Sequence, residues 1–198
     1  PQFDTTTSKS LEDPLLDAIE KASIAIQRHP DSRWEDDAYN LVGLARLYGS
    51  EFPEAIETFK YVNTNGDLKE DRHQALIHLM RTFIEAKEME NAQAVSDYID
   101  ETELSDQSKK ELAINRAYYN QKTGQIPEMT NSLKSAMPFM AGDKREARLA
   151  FTLGQALQSQ GADSLAYYYY KRTIRKSKTY DLTFYARLNM SQVSLANS

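Results

Sequence analysis

The stretch EFPEAIETFKYV, residues 51–62, returns in altered form three times further along the chain. MENAQAVSDYI begins at residue 89, IPEMTNSLKSA at residue 126 and DSLAYYYYKRT at residue 163. Aligned, the four stretches share one position, occupied every 37 residues by Ala55, Ala92, Met129 and Ala166. One further step back reaches Ala18 in LDAIEKASIAIQRHP. A fixed period of this length is typical of an array of short structural repeats.

The repeat unit is predicted to be a pair of helices. Apolar residues recur at helical spacing from about Leu11 to Val193, and short turn signals interrupt them every dozen or so residues. A first helix precedes each repeated stretch, with a glycine or its substitute at Gly43, Met80, Ala117 and Gly154. The turns that join the two helices contain Ser50, Lys87, Gly124 and Gly161. The sequence therefore predicts an all-α solenoid of helix hairpins with about ten helices.

The period also predicts how the chain is divided. Residues 1–10 are expected to form a flexible segment, and residues 11–30 a second helix whose own first helix is missing. The array itself is expected over residues 31–195. Its predicted parts are repeats at about 33–68, 69–105, 106–142 and 143–179, followed by a final helix at 180–195.

Charge is unevenly distributed along the 198 residues. The net charge is −5, but residues 1–108 carry 23 acids and 10 bases, whereas residues 109–198 carry 6 acids and 14 bases. The two halves are expected to prefer different partners, or each other. There is no cysteine, and no run approaches the roughly 18 apolar residues of a transmembrane helix. The chain is therefore expected neither to span a membrane nor to carry a visible targeting signal.

The stretch HPDSRWEDDAYNLVG, residues 29–43, raises the question of a metal site. His29 has no second histidine nearby, so a structural explanation is favoured. Asp31 and Ser32 are predicted to cap the next helix, and Glu35 and Asp36 to lie in its first turn, where they offset the helix dipole. The neighbouring Trp34 is expected to pack into the joint between hairpins. We expect no metal and no cofactor.

Catalytic motifs are missing from the sequence. It contains no glycine-rich phosphate loop, no G-x-S-x-G, no H-E-x-x-H and no cysteine nucleophile. His73 and His78 are five residues apart, a spacing that points them to different faces of one helix. A pair of catalytic carboxylates remains an alternative, because acids are abundant. The sequence nevertheless favours a protein that is not an enzyme.

The stretch YYYYKRTIRKSK, residues 167–178, combines tyrosines with cations. Such a combination can stack bases and contact phosphates, but cations in the last turns of a helix are also stabilising on their own. Because the chain is acidic overall, we expect this patch to contact a protein rather than nucleic acid. Its predicted members are Tyr168, Tyr169, Lys171, Arg172, Arg175 and Lys176.

The repeat unit resembles the tetratricopeptide (TPR) unit. Residues that match its pattern are Gly43, Phe59, Phe83, Leu133, Ala136, Gly154 and Tyr170. Arg46 and Asn120 depart from it, because each stands where an aromatic residue is usual, and Ser96 replaces the aromatic residue of a second helix. The period also exceeds the family's, which is about 34 residues. The resemblance implies a right-handed solenoid whose first helices line a concave groove.

In this register the groove is predicted to bind an extended peptide or a partner helix. Some of its apolar members can alternatively pack between repeats. The predicted groove residues are Asn40, Leu44, Leu47, Ile77, Arg81, Ile84, Ile114, Tyr118, Gln121, Phe151, Gln155 and Gln158. Only Arg81 is charged, which disfavours the acidic tails that clusters of lysine and arginine hold.

A narrower resemblance rests on HPDSRWEDDAYNLVGLARLY (29–48), EAIETFKYVNT (54–64), MRTFIEAKEMENA (80–92) and TYDLTFYARLN (179–189). These blocks are similar to the SprE/PorW family of type IX secretion and gliding-motility lipoproteins. The resemblance implies a periplasmic scaffold that binds components of that machinery and is held at the outer membrane by a lipid anchor outside this chain. The alternatives are a cytoplasmic regulatory TPR module that binds a peptide or partner protein, and salt-sensitive self-association between the oppositely charged halves.

Overall fold

The computed structural model describes residues 12–196, and the surroundings of side chains for residues 14–194. Within this range all regular secondary structure is helical, with no strand. The α-helices are α1 Glu12–Arg28, α2 Glu35–Tyr48, α3 Phe52–Asn65, α4 Lys69–Glu85, α5 Met89–Tyr98, α6 Asp106–Lys122, α7 Ile126–Ala136, α8 Glu146–Ser159, α9 Asp163–Lys176 and α10 Tyr180–Ala196. Short 3-10 helices cover Glu101–Glu103 and Met137–Met140. The predicted all-α fold of helix hairpins is confirmed, whereas the predicted flexible segment 1–10 lies outside the described residues.

The helices form two compact units. Unit 1 ends at Leu104 and contains α1 to α5, and unit 2 begins at Ser105 and contains α6 to α10. In both units each helix packs against the next along the chain, as expected for stacked hairpins. Each of the four repeats predicted from the period contains one pair of consecutive helices.

In two of the four hairpins, the close approach of the paired helices depends on a glycine opposite a buried aromatic ring. In unit 1, Phe59 of α3 is fully buried, and a Cβ atom on Gly43 of α2 would lie 2.5 Å from its Cε1. In unit 2 the same arrangement joins α8 to α9, where a Cβ atom on Gly154 would lie 2.7 Å from Tyr170 Cε1. The aromatic ring therefore occupies the volume that any larger residue would need.

The turns inside the four hairpins share one backbone conformation. Ser50, Lys87, Gly124 and Gly161 all have a positive φ, of 64°, 65°, 75° and 71°. Glycine adopts this left-handed conformation without steric cost, whereas other residues do not. The period of 37 residues is thus a period of backbone geometry as well as of side chains.

The start of α2 differs from the prediction. The helix begins at Glu35, and Trp34 at its N-cap position makes no side-chain cap. The Glu35 carboxylate instead accepts a hydrogen bond of 2.7 Å from the backbone N–H of Asp31. The prediction that Asp31 and Ser32 cap this helix is therefore wrong, although Glu35 and Asp36 do lie in its first turn. Trp34 does not pack into a joint, because it is 60% exposed with the Arg33 guanidinium 4.4 Å above its ring.

Candidate protein-binding surfaces

In unit 1, most of the predicted groove residues belong to the core. Four of the six are buried, namely Asn40, Leu47, Ile77 and Ile84. Asn40 also joins two helices, since its Nδ2 donates a hydrogen bond of 3.2 Å to the backbone carbonyl of Asp71 on α4. Leu44 and Arg81 are partly exposed, and Arg81 forms an ion pair of 2.8 Å with Glu85. The accessible part of the predicted groove in unit 1 is therefore small.

In unit 2, all six predicted groove residues keep some exposed surface. Gln121 and Gln155 are exposed, and the partly exposed members are Ile114, Tyr118, Phe151 and Gln158. The Lys122 ammonium lies 5.1 Å from the centre of the Tyr118 ring. Two members contact the buried Tyr170. The Phe151 ring lies 5.8 Å from the Tyr170 ring, and Gln158 Oε1 accepts a hydrogen bond of 2.6 Å from the Tyr170 hydroxyl. This accessible surface combines apolar and amide groups. Its binding role stays a prediction.

In the predicted basic and aromatic patch on α9, two cations are paired with a carboxylate on α8, and the other members are not. Arg172 Nε donates a hydrogen bond of 3.0 Å to Glu146 Oε1 on α8, and Lys176 lies 3.3 Å from Glu146 Oε2. Burial acts to raise the pKa of Glu146, but the hydrogen bonds from Arg172 and Lys176 outweigh it and lower that pKa below its ordinary value. These two cations therefore hold α9 against α8.

The other members of the patch are exposed, except Tyr169, which packs against the core of unit 2. Lys171, Arg175 and Tyr168 are exposed, and Tyr169 is half-buried. The rings of Tyr168 and Tyr169 meet edge to face with their centres 5.1 Å apart. The patch thus offers two separated cations and one exposed ring to a partner, and its role stays a prediction.

One kind of cavity recurs where the start of a first helix meets the loop after the following second helix. In repeat 1 it has a volume of about 350 Å³, between the start of α2 and residues 65–68. In repeat 2 it has about 450 Å³, between the start of α4 and residues 98–103. In repeat 4 it has about 370 Å³, between the start of α8 and residues 176–179. We call these the repeat-1, repeat-2 and repeat-4 cavities.

The equivalent cavities differ in charge. The repeat-1 cavity is lined by four acids and one base, namely Asp31, Glu35, Asp36, Asp67 and Arg33. The repeat-4 cavity is lined by four bases and two acids, namely Lys144, Arg148, Lys176, Lys178, Asp143 and Glu146. Arg33 and Lys144 are separated by three periods of 37 residues and so hold the same place in the repeat. Sequence reasoning missed Lys144, Arg148 and Lys178, although adding the period to residues 31–36 would have found the first of them.

A buried carboxyl group lies where α2 and α4 pack in unit 1. Asp71 is 5% exposed, and its Oδ2 has no hydrogen-bond partner among the described residues, nor has Oδ1 of the neighbouring Asn40. Burial, first of all, and the negative charges of Asp37, Asp36 and Glu70 together raise the pKa of Asp71 to about 6. No sequence pattern indicated this group, because its burial depends on how closely α4 approaches α2.

The described residues contain neither a candidate metal site nor a helix that could span a membrane. Across residues 12–196 no group of three or more histidine, aspartate or glutamate residues is placed to hold a metal ion. Over the same residues no helix is both long enough and apolar enough to cross a membrane.

The fold of the described residues, an array of helix hairpins, is similar to that of solved structures, one of which is a tetratricopeptide protein. The crystal structure of BtubC (BKLC) from P. vanneervenii aligns with a TM-score of 0.65 and 13% identity, over 94% of this chain and 82% of that one. The crystal structure of TTC0263, a thermophilic TPR protein in Thermus thermophilus, aligns with a TM-score of 0.52 and 15% identity, over 90% of this chain and 91% of that one. No family model matches the chain, and no curated protein matches it significantly.

Proposed function

We propose that this protein is a non-catalytic scaffold that binds other proteins through the groove of unit 2. The observation that carries the proposal is the accessible apolar and amide surface formed by α6 and α8. It contains Tyr118, Phe151 and Gln155, and none of its six members is charged. Tyrosine and phenylalanine contribute large contact areas to protein interfaces, and amides adapt to the backbone of an extended peptide.

The fold supports the same function. Repeat hairpins of the TPR type present an extended surface built from successive first helices, which suits a peptide or a partner helix. In unit 2 the groove residues lie on two consecutive first helices, α6 and α8, each packed against its own second helix. A partner is therefore expected to contact both helices.

The proposal is tested by selecting peptides from a random display library on the purified chain and measuring their affinity by calorimetry. We expect the triple variant Tyr118→Ala, Gln121→Ala, Gln155→Ala to weaken binding by about tenfold or more. The matched control, Tyr48→Ala, Asn131→Ala, Gln192→Ala, removes similar exposed side chains elsewhere and should bind as the wild type does. Circular dichroism establishes that both variants are folded. Equal affinities for the two triple variants would contradict the proposal.

We also propose, on the sequence resemblance in residues 29–48, 54–64, 80–92 and 179–189, that the scaffold works in the periplasm in type IX secretion and gliding motility. A lipid anchor outside this chain would hold it at the outer membrane, and its partners would be components of that machinery. Cell fractionation followed by mass spectrometry of the mature N-terminus tests this. A lipid-modified protein in the outer-membrane fraction is expected. Recovery from the cytoplasm would contradict it and would favour the alternative, a regulatory TPR module that binds a peptide or partner protein there.

The opposite charges of the two halves support a third interaction, salt-sensitive self-association. Residues 1–108 have a net charge of −13 and residues 109–198 of +8. Attraction between such surfaces weakens as the Debye length shortens, from about 30 Å at 0.01 M salt to about 8 Å at 0.15 M. Light scattering is expected to show larger particles at low salt that dissociate as salt is added. A mass that does not change with salt would contradict self-association of this kind.

A further inference from the structure

We propose that the repeat-4 cavity is a second binding site, which takes an acidic segment of a partner protein. The cavity measures about 370 Å³, within the range of roughly 300–1,000 Å³ that is usual for ligand pockets. It lies between the start of α8 and residues 176–179 and shares no residue with the predicted groove. It is therefore a separate site, and it does not depend on the groove function.

The two acids in the wall of this cavity are already neutralised. Asp143 accepts hydrogen bonds from Arg145, and Lys110 lies 3.0 Å from its Oδ2. These bonds, from Arg145 first of all, hold the pKa of Asp143 well below its ordinary value, although burial opposes them. Glu146 is occupied in the same way by Arg172 and Lys176 on α9. Neither carboxylate is left to repel an incoming acid.

Three cations of the cavity remain without a carboxylate partner among the residues that the structure describes. Lys144, in the turn before α8, and Arg148, in the first turn of α8, line one wall, and Lys178, in the loop after α9, lines the other. All three side chains are exposed, whereas Lys176 is paired with Glu146. An anion that enters between the walls would meet positive charge from both sides, and each charge-assisted hydrogen bond would be stronger than a neutral one.

The surroundings favour carboxylate side chains of a protein over a nucleic acid. Ala147 and Leu182 also line the cavity, so that it offers apolar contact to the methylene groups of aspartate and glutamate. None of the residues that line the cavity is aromatic, so it offers no ring on which a base could stack. The equivalent repeat-1 cavity, lined by four acids, cannot take the same ligand. Position in the repeat thus provides the cavity, and the charge of each copy selects its ligand.

The test measures the binding of a fluorescein-labelled hexapeptide of alternating aspartate and glutamate by fluorescence anisotropy at low salt. The cavity variant is Lys144→Glu, Arg148→Glu, Lys178→Glu. The matched control is Lys109→Glu, Lys134→Glu, Arg187→Glu, which makes the same change of net charge at exposed or partly exposed positions of unit 2, outside the cavity and outside the basic and aromatic patch on α9. We expect the cavity variant to lose affinity by about tenfold or more and the control by less than about threefold. A neutral variant with glutamine at the three cavity positions should also lose affinity.

Several results would overturn the proposal. Equal losses in the cavity variant and the control would show that only net charge matters. Equal binding of a hexapeptide of asparagine and glutamine would show that carboxylates are not recognised. Displacement of the peptide by inorganic phosphate at micromolar concentration would identify a phosphate site instead. Association of the wild-type chain with itself in sedimentation velocity, lost in the cavity variant, would identify a second copy as the occupant. The triple groove variant Tyr118→Ala, Gln121→Ala, Gln155→Ala is expected to bind the acidic hexapeptide as the wild type does. Loss of this binding would show that the cavity is not a separate site.

Discussion

At the scale of single residues, the pairs Gly43–Phe59 and Gly154–Tyr170 set the distance between the helices of two hairpins. A Cβ atom on either glycine would lie within 2.7 Å of a buried ring carbon. Tyr170 is fully buried and its hydroxyl is hydrogen-bonded to Gln158, so the ring has little freedom to move. In each hairpin the distance between the two helices is therefore set by the absence of a Cβ atom at one position.

Replacing Gly154 with alanine is expected to lower the free energy of unfolding by about 1–3 kcal/mol, because the added methyl group overpacks the core. Helix propensity alone predicts the opposite, a gain of about 1 kcal/mol. Urea unfolding measures the difference. Gly49→Ala is the control, since its nearest contact would be an ordinary 3.4 Å to the Ala45 carbonyl. A Gly154→Ala variant more stable than the wild type would contradict this explanation of the hairpin.

Asp71 is a second residue whose influence on stability can be measured, through the pH dependence of unfolding, because its pKa is raised from 3.8 to about 6. The folded chain then binds this proton more tightly than the unfolded chain does. The contribution of Asp71 to stability falls as the pH rises from about 4 to about 6, and above that range the buried charge destabilises the fold.

We therefore expect Asp71→Asn to be more stable than the wild type at pH 7.5, by on the order of 1–2 kcal/mol, and the difference to shrink toward zero near pH 4. Urea unfolding at several pH values gives this difference directly. Glu57→Gln on the exposed side of α3 serves as control and should show no such pH-dependent gain. A constant difference between Asp71→Asn and the wild type from pH 4 to pH 7.5 would refute the assignment.

At the scale of helices and turns, the hairpin is defined by a left-handed residue that recurs every 37 positions. Glycine fills this place in unit 2, whereas Ser50 and Lys87 fill it in unit 1. A side chain in this conformation costs roughly 1–2 kcal/mol, and part of that cost is offset because glycine loses more entropy on folding. The two hairpins of unit 1 accordingly carry backbone strain that those of unit 2 avoid.

Lys87→Gly is expected to raise the free energy of unfolding by about 0.5–1 kcal/mol, since the backbone conformation is retained and the strain is removed. Gly161→Ala should lower it by about 1–2 kcal/mol, although the space around a Cβ atom there is open. Thermal unfolding followed by circular dichroism compares the stability of both variants with that of the wild type. Lys171→Gly, in the exposed middle of α9, is the control and should be destabilising by about 1 kcal/mol. A loss of stability in Lys87→Gly would be evidence against strain at the turn.

At the scale of the whole chain, the period predicted the positions of the helices correctly. It did not predict burial where several helices pack together. The hairpin positions followed from the spacing of Ala55, Ala92 and Ala166, because each repeat packs on its nearest neighbours. The burial of Ile77 and Ile84 did not follow, since it depends on how closely the adjoining hairpins pack. The cap of α2 was also mispredicted, because Trp34 occupies the N-cap position without a side-chain cap, and the Glu35 carboxylate accepts a hydrogen bond from the backbone N–H of Asp31.

Of the candidate sites, the sequence pattern predicted the groove but not the cavity. The pattern predicted a groove stripe in unit 2, and its members on α6 and α8 keep exposed surface, but its binding role stays a prediction. It did not identify the repeat-4 cavity, whose walls come from a loop and a helix start about 30 residues apart. Charge along the sequence was informative at this scale, because the acidic and basic halves correspond to acidic and basic copies of one cavity. The repeat thus builds one frame whose copies enclose cavities of different charge.

The central claim, that the groove of unit 2 binds the partner, is tested most directly by photocrosslinking. The photoreactive residue p-benzoylphenylalanine is placed at Gln155 in the groove or at Asn131 on the exposed side of α7, and a peptide selected on the wild-type chain is added. Mass spectrometry then locates the crosslinks. We predict a peptide adduct from position 155 and none from position 131. An adduct from position 131, with none from position 155, would contradict the claim.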